Sequence, residues 1–497
     1  MAFLGIALFL IYVVGLLVVA WRGSQVQKKS GGSSRTYFLG TGSGTAIILF
    51  SIVASGGSAW LFQGGPAAVY KNGISYLSIC VMWSLSYYIL YGYLAPRGHA
   101  LGKAHGLVTL GAMFERYYDS RALAVLVGLM QLIALIPSCI AQTKGMGLAI
   151  ELISGGIIPR NFAIAFAALV IVLYCTSGGF GSLVRVDAVQ GIMFTLIILM
   201  GLVAVFVSTG QTLPGMFDLI EANNPQALIY PTDRSAYWAL GFGVTYALSQ
   251  TIGNLAQPIL WQNFFAAKSG EHLRQMSRFY VWVHGIVVLA VTLFIGLCFN
   301  AYNLDGISAD NAFQTILGNI HPVLGLIVGM GIIAAAMSTA AGALFTMSSV
   351  ATMGIIHAIK PDIDDKKLKL IGRVLVVGIA VFSVYEALKS STPISELAII
   401  GISLYAAGAL PLLGMFVWKR ATAAGACAGI AAMLLSSIYF YWINPNILGI
   451  FSGTWALLTA SIVFVAVSLV TKPIDPLYRE QFMAPIRHGR TWAERRA

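Results

Sequence analysis

Residues 48–73 read ILFSIVASGGSAWLFQGGPAAVYKNG, an apolar segment broken at its middle by Gly56-Gly57 and again by Gly64-Gly65-Pro66. Paired glycines flanked by serines favour a local interruption of a helix. An interruption leaves backbone carbonyls and amides unpaired, and at membrane depth these are tolerated only where they line a cavity or bind something. Residues 240–265, LGFGVTYALSQTIGNLAQPILWQNFF, have the same character: Ser249, Gln250, Gly253, Asn254 and Gln257 lead into Pro258. Two interrupted spans at corresponding places in two halves of a chain point to a transporter's binding site near the midplane. The correspondence is one of spacing and of broken-helix character.

The composition supplies the membrane. The 497 residues are 58% hydrophobic and only 10% charged, with a mean hydropathy of +0.82; soluble proteins are about 25% charged. Apolar segments follow one another near 2–21, 42–64, 74–96, 121–142, 160–176, 187–208, 236–260, 279–300, 321–350, 370–387, 394–417, 422–442 and 453–471. That makes about thirteen spans in one all-α polytopic membrane domain, residues 1–471. A basic tail, 472–497, follows it. Residues 2–21 have no basic start and no small-residue cleavage site, so they read as a retained helix and not as a signal peptide.

A net charge of +12 would suit nucleic acid, but the charges fall in alternate loops, which is a topology signal. Counted that way, 25 of the 30 basic residues lie on one face, leaving Lys71, Lys144, Arg160, Arg234 and Lys389 on the other. Positive loops stay cytoplasmic, so the N-terminus is expected outside and the C-terminus inside. The longest external stretch, 209–235, is expected to hold a short interfacial helix. The tail, ending IRHGRTWAERRA, is either a solvated topology determinant or a contact for anionic headgroups. The five cysteines and seven histidines show no metal or disulfide spacing. No nucleophile–base pair appears in the spans, which argues against an enzyme.

Residues 331–349, GIIAAAMSTAAGALFTMSS, place Ser338 and Thr339 side by side in a run of small residues. Hydroxyls in lipid need internal partners. Two readings stand here: tight packing of small residues against another helix, or hard oxygen ligands for a small cation. Among acids, Asp187 opens the sixth span beside Arg185; an intramembrane acid is a functional candidate, with a salt bridge to Arg185 as the alternative. No span carries the paired carboxylates of a proton relay.

Four stretches in this order resemble the sodium:solute symporters, the family of sodium/glucose, sodium/proline and sodium/pantothenate carriers: ASGGSAWLFQGGPAAVYKNG (54–73), TSGGFGSLVRVDAVQGIMF (176–194), AQPILWQNFFAAKS (256–269) and AAAMSTAAGALF (334–345). The resemblance runs from YFLGTGSG at Tyr37 to WKRATAAGACAG at Trp418. It implies a LeuT-type five-plus-five inverted repeat, with repeat one at 42–208, repeat two at 236–417, the extra first helix before them and two further helices at 422–471. It implies a sodium site made of carbonyls of Ala54, Gly57 and Ala335 and hydroxyls of Ser338 and Thr339, with Na⁺ as the coupling ion. The hydroxyls of a second sodium site in some members are replaced here by Ala341 and Gly342, which implies one Na⁺ per cycle and leaves Asp187 to order the cytoplasmic end or the ion's exit path. The acid of proline carriers in the second span is replaced by Gly56.

The solute is expected between the two breaks, with the fourth and eleventh spans closing the sides. The candidate lining is Ser58, Trp60, Gln63, Ser138, Gln142, Tyr246, Gln250 and Asn254, amides and hydroxyls with aromatic lids that suit a small polar organic solute. Each could instead serve interhelical packing. GGPAAVYKNG (64–73) is similar to the pantothenate branch, so a small carboxylate such as pantothenate or a monocarboxylate is the first expectation; an amino acid, a sugar, or proton in place of sodium are the alternatives. A transporter-like sensor would carry a regulatory domain, for which the tail has no room. The expected partners are the solute and the lipid bilayer of a bacterial plasma membrane, with no nucleic acid and no obligate protein.

Overall fold

The computed structural model describes the whole chain except residues 30–32, 41–43, 231–239, 281, 283–287, 302–311, 315, 317–320, 446 and 495–497. Helices dominate. Among the described residues eight are long and apolar enough to cross a bilayer, or nine when a bent pair is taken as one span. The difference from about thirteen has three sources. Interrupted spans fall into short pieces, one boundary closes up, and parts of the 236–260 and 279–300 segments lie outside the described residues.

The chain opens with α1 (Ala2–Lys29), a lipid-facing helix packed along α9, and the short α2 (Ser34–Leu39). The 42–64 segment is the bent pair. Helix α3 (Thr45–Gly56) stops at Gly57, whose N–H bonds the Val53 carbonyl at 2.8 Å, and a 3₁₀ turn at Ala59–Leu61 restarts the chain into α4 (Gly64–Asn72). The two limbs meet at 64°. Ser58 caps the restart by accepting from the Trp60 N–H. Helix α5 (Ser78–Ile89) runs through a π turn into α6 (Ala95–His105), and α7 (Leu110–Tyr118) leads to α8 (Arg121–Ile153).

The spans expected at 160–176 and 187–208 are joined without a loop in α9 (Arg160–Thr209). Fifty helical residues would reach about 75 Å, far beyond a bilayer core of about 30 Å. The chain divides at Gly179, with φ 60° and ψ −158° inside the run. A Cβ there would lie 2.5 Å from the Tyr37 carbonyl oxygen, so both conformation and space require glycine. The 209–235 stretch contains α10 (Leu213–Asn223).

The 236–260 segment breaks as well. Helix α11 (Leu240–Leu255) ends before Gln257, which is extended, and α12 (Pro258–Ala266) begins on the proline. The Trp261 indole N–H donates to the freed Leu255 carbonyl at 2.8 Å. After α13 (Gly270–Phe279) and α14 (Leu289–Cys298) comes α15 (Pro322–Ser349), the centre of the protein. Every residue from Gly331 to Ser349 in it is buried, against α8, α9 and α3. Helix α16 (Asp365–Lys389) packs outside it, and α17 (Ile394–Val417) lies between α8 and α11. The hairpin of α18 (Ala423–Ile438) and α19 (Ser452–Val470) follows. The tail forms α20 (Pro476–Glu494), seated on α6 and α7 through Phe482, which stacks on His105.

Candidate functional site

The break in α3 and the middle of α15 meet. Ser338 Oγ donates to the Ala335 carbonyl at 2.9 Å and reaches the Ala54 carbonyl at 3.3 Å. Thr339 Oγ1 lies 2.5 Å from the Gly57 carbonyl and 3.4 Å from that of Ala54. Five oxygens, three from backbone and two from side chains, therefore converge in a fully buried spot. Ala54 and Gly57 end a helix, where carbonyls lack intrahelical donors and the dipole favours a cation. The arrangement contains no fixed charge, and among the described residues no cluster of histidine, cysteine or acid could hold a transition metal. Hard neutral oxygens suit a small hard cation such as Na⁺. Small side chains are what permit it: with alanine and glycine around Ser338 and Thr339, α15 approaches the broken helix closely enough to share hydrogen bonds.

Beside these oxygens opens a cavity enclosing about 590 Å³ with its mouth. Five of the eight expected lining residues, Ser58, Trp60, Ser138, Gln142 and Asn254, form part of its wall. Gln142 also fastens the break, since its Oε1 accepts from the Ala59 N–H at 2.8 Å. Asn254 donates to Ser86 Oγ at 3.3 Å. Thr339 borders the cavity too, so one hydroxyl serves both places.

Three expected lining residues lie elsewhere. Gln250 is turned into the α11–α17 interface, where its Nε2 donates to Ser403 Oγ at 2.9 Å. Tyr246, one turn earlier, packs edge-on against Phe451. Gln63 is buried next to Gly145 of α8, outside the cavity wall. In their place the wall has Trp83 and Tyr87, an i, i+4 pair on α5, with Gln257 at the α11–α12 break and Tyr405 on α17. Gln257 stood out in the sequence beside Pro258. The α5 pair carried the ordinary signature of a buried aromatic stripe, with nothing to mark a cavity. Gly56 also borders the cavity, and no charged side chain does.

Asp187 is buried in the second limb of α9 beside the Ser51 hydroxyl, and its Oδ1 has no hydrogen-bond partner among the described residues. The salt bridge with Arg185 does not form: Arg185 donates to the carbonyl of Gly181, one turn back in its own helix. Three residues after Asp187, Gln190 Nε2 donates to the Tyr12 hydroxyl at 2.6 Å and ties α1 to α9. Ala341 and Gly342 of α15 contribute no side-chain oxygen.

Comparison with known proteins gives the family. The sodium:solute symporter family model matches residues 37–432. The chain belongs to the sodium:solute symporter family. It is a sodium-coupled, multi-pass membrane transporter and not an enzyme. The osmoregulated proline transporter OpuE of Bacillus subtilis is 28% identical over 94% of this chain and 95% of its own length. A sodium/proline symporter of Staphylococcus aureus is 26% identical over 93% of this chain and 92% of its own. Among solved structures, a Na⁺-coupled sialic acid symporter in a substrate-bound, outward-open state superposes with a TM-score of 0.78 at 17% identity, covering 95% of this chain and 98% of that one. MhsT in complex with L-phenylalanine superposes at 0.54, with 14% identity over 86% of this chain and 98% of that one. The symporter's fold is thus the LeuT-type five-plus-five arrangement.

Proposed function

We propose that this symporter binds one Na⁺ at the carbonyls of Ala54, Gly57 and Ala335 and the hydroxyls of Ser338 and Thr339, and uses it to take up a small carboxylate. The observation that carries the reading is Thr339, whose hydroxyl completes the ion's oxygen set and borders the solute cavity. The inward-facing limbs follow the basic loops, with the N-terminus outside, the C-terminus inside and the inner membrane of a bacterium as the setting. Repeats at 42–208 and 236–417 supply the two broken helices.

Sodium entering from outside ties α3 to α15 and sets the wall that the solute meets. The solute then binds the ordered form better, and by linkage it strengthens sodium binding by the same factor. At a potential of about 100 mV each charge carried inward supplies about 2.3 kcal/mol. When α3 parts from α15 the oxygen set is split and the ion leaves, with buried Asp187 beside its inward route.

The solute's chemistry follows from the wall. Gln142, Asn254, Gln257 and the serines donate and accept, and Trp60, Trp83, Tyr87 and Tyr405 cover an apolar body. A carboxylate placed against Thr339 would lie next to the bound cation. Gly56 leaves no acid to hold an ammonium group, which favours pantothenate or a monocarboxylate over an amino acid, although two relatives are proline carriers. Uptake into proteoliposomes of pantothenate, short monocarboxylates and L-proline, each with Na⁺ and with choline, tests it. Sodium-stimulated pantothenate or monocarboxylate uptake is expected; uptake of proline alone overturns the choice of solute.

A further inference from the structure

Two transmembrane helices end side by side. Helix α17 closes on Val417 and α19 on Leu469 and Val470, and these side chains are 71%, 57% and 83% exposed. In a membrane protein, aliphatic side chains this open face lipid tails. Basic residues follow at once: Lys419 and Arg420 after Trp418, and Lys472 after Thr471. Trp418, which packs edge-on against Phe464 at 5.6 Å, is of the type that anchors at headgroup level. Both helix ends therefore cross from lipid tails to headgroups within two residues.

The two ends are fastened together. Arg420 Nη2 donates to the Leu469 carbonyl at 2.8 Å, and the Thr422 and Thr471 hydroxyls share a hydrogen bond of 2.7 Å. The tail adds a fourth cation: Arg479 Nη1 of α20 donates to the Lys419 carbonyl at 2.8 Å. Lys419, Arg420, Lys472 and Arg479 are thus gathered from the α17–α18 turn, the end of α19 and α20. Among the described residues none of the four forms an ion pair. Asp475, between Lys472 and Arg479 in the chain, is spent on capping α20, where its Oδ1 accepts from the Leu477 N–H at 2.9 Å. Arg420 Nη1 is buried with no hydrogen-bond partner among the described residues, and a charged donor so placed calls for an acceptor. Basic residues scattered over the loops would set topology equally well. Cations pinned together repel, and an anion among them offsets that repulsion.

We propose that Lys419, Arg420, Lys472 and Arg479 bind the headgroup of one anionic phospholipid in the leaflet facing the basic loops. Its phosphate sits among the guanidinium and ammonium groups in charge-assisted hydrogen bonds, and its acyl chains run along Val417, Leu469 and Val470. Bound there, the lipid joins the tail helix to the ends of α17 and α19. Basic pockets between helix ends are suited to such headgroups.

Native mass spectrometry of the detergent-purified full-length protein, titrated with phosphatidylglycerol, phosphatidylcholine or glycerol phosphate, tests it. The wild type should retain phosphatidylglycerol in preference to phosphatidylcholine, and glycerol phosphate at the same concentration should not displace it. A basic residue at an anionic lipid surface is worth about fivefold in binding, so Lys419→Gln combined with Lys472→Gln should weaken retention about 25-fold. Lys472→Gln alone, at about fivefold, serves if the double variant does not fold. Lys366→Gln combined with Lys367→Gln, exposed lysines beside Asp364 and Asp365 at the start of α16, should match the wild type. Equal retention of the two phospholipids, or equal loss in the two double variants, overturns the site. Displacement by glycerol phosphate overturns the lipid as its occupant.

Discussion

Thr339 Oγ1 stands 2.5 Å from the carbonyl of Gly57, joining the centre of α15 to the break in α3. Removing that hydroxyl removes one of the five converging oxygens and a link between the two helices. A hydrogen bond or ligand contact to a charged group is worth about 1.5–3 kcal/mol, roughly 10–100-fold in affinity. Ser338→Ala and Thr339→Ala should each raise the Na⁺ concentration for half-maximal uptake by about that factor with membrane insertion intact, and Thr339→Ser should retain most of the wild-type response. Unaltered sodium activation in both alanine variants contradicts the assignment.

Gln142 holds the broken helix from the opposite side. Gln142→Leu leaves the Ala59 N–H without its 2.8 Å acceptor, at a cost of about 1–3 kcal/mol. Lower Tm and weaker solute uptake are expected together. Gln142→Glu keeps an acceptor oxygen and should recover Tm more than uptake, because it introduces a charge into an uncharged wall.

The second break depends on close approach. A Cβ at Gly253 would come within 2.1 Å of the Ile402 carbonyl oxygen, which is backbone and cannot swing aside. Gly253→Ala should therefore push α11 from α17 and destabilise by about 1–3 kcal/mol, seen as a lowered Tm. Tm equal to wild type would show that the two helices are not held at this distance.

How much was legible follows from the kind of signal each residue left. Gly56-Gly57 and Pro258 act on the backbone locally, so both breaks could be read from the chain. Ser338 and Thr339 stood out because few hydroxyls sit in such apolar surroundings. Gln250 and Asn254 show the limit. Four residues apart on α11, they should share a face, yet Gln250 turns to Ser403 of α17 and Asn254 to Ser86 of α5. Spacing specifies a face, and only the packing of α11 between α5 and α17 decides which polar group is covered. The joined limbs of α9 were hidden similarly: Gly179 turns the chain without a polar loop to announce it.

Beyond the end of the third span, His99 links α6 to α12. Its Nδ1 bonds the Phe264 carbonyl at 3.0 Å. Burial holds this imidazole below its ordinary 6.5, while the hydrogen bond pulls the other way. Between the lowered folded value and 6.5 the unfolded chain binds the extra proton, so stability rises with pH there. Acidification below 6.5 should lower Tm, and His99→Gln should flatten that slope. A slope unchanged in His99→Gln would assign the acid sensitivity to other groups.

The central claim is that sodium bound between α3 and α15 powers uptake. The direct measurement is solute accumulation in proteoliposomes under an inward Na⁺ gradient at fixed pH, against choline in place of Na⁺, for wild type and Thr339→Ala. Accumulation in the wild type only with Na⁺, and a Na⁺ effect in the variant that needs about 10–100-fold more Na⁺, is the predicted result. Equal accumulation in Na⁺ and choline, or a response of Thr339→Ala at the wild-type Na⁺ concentration, would contradict it.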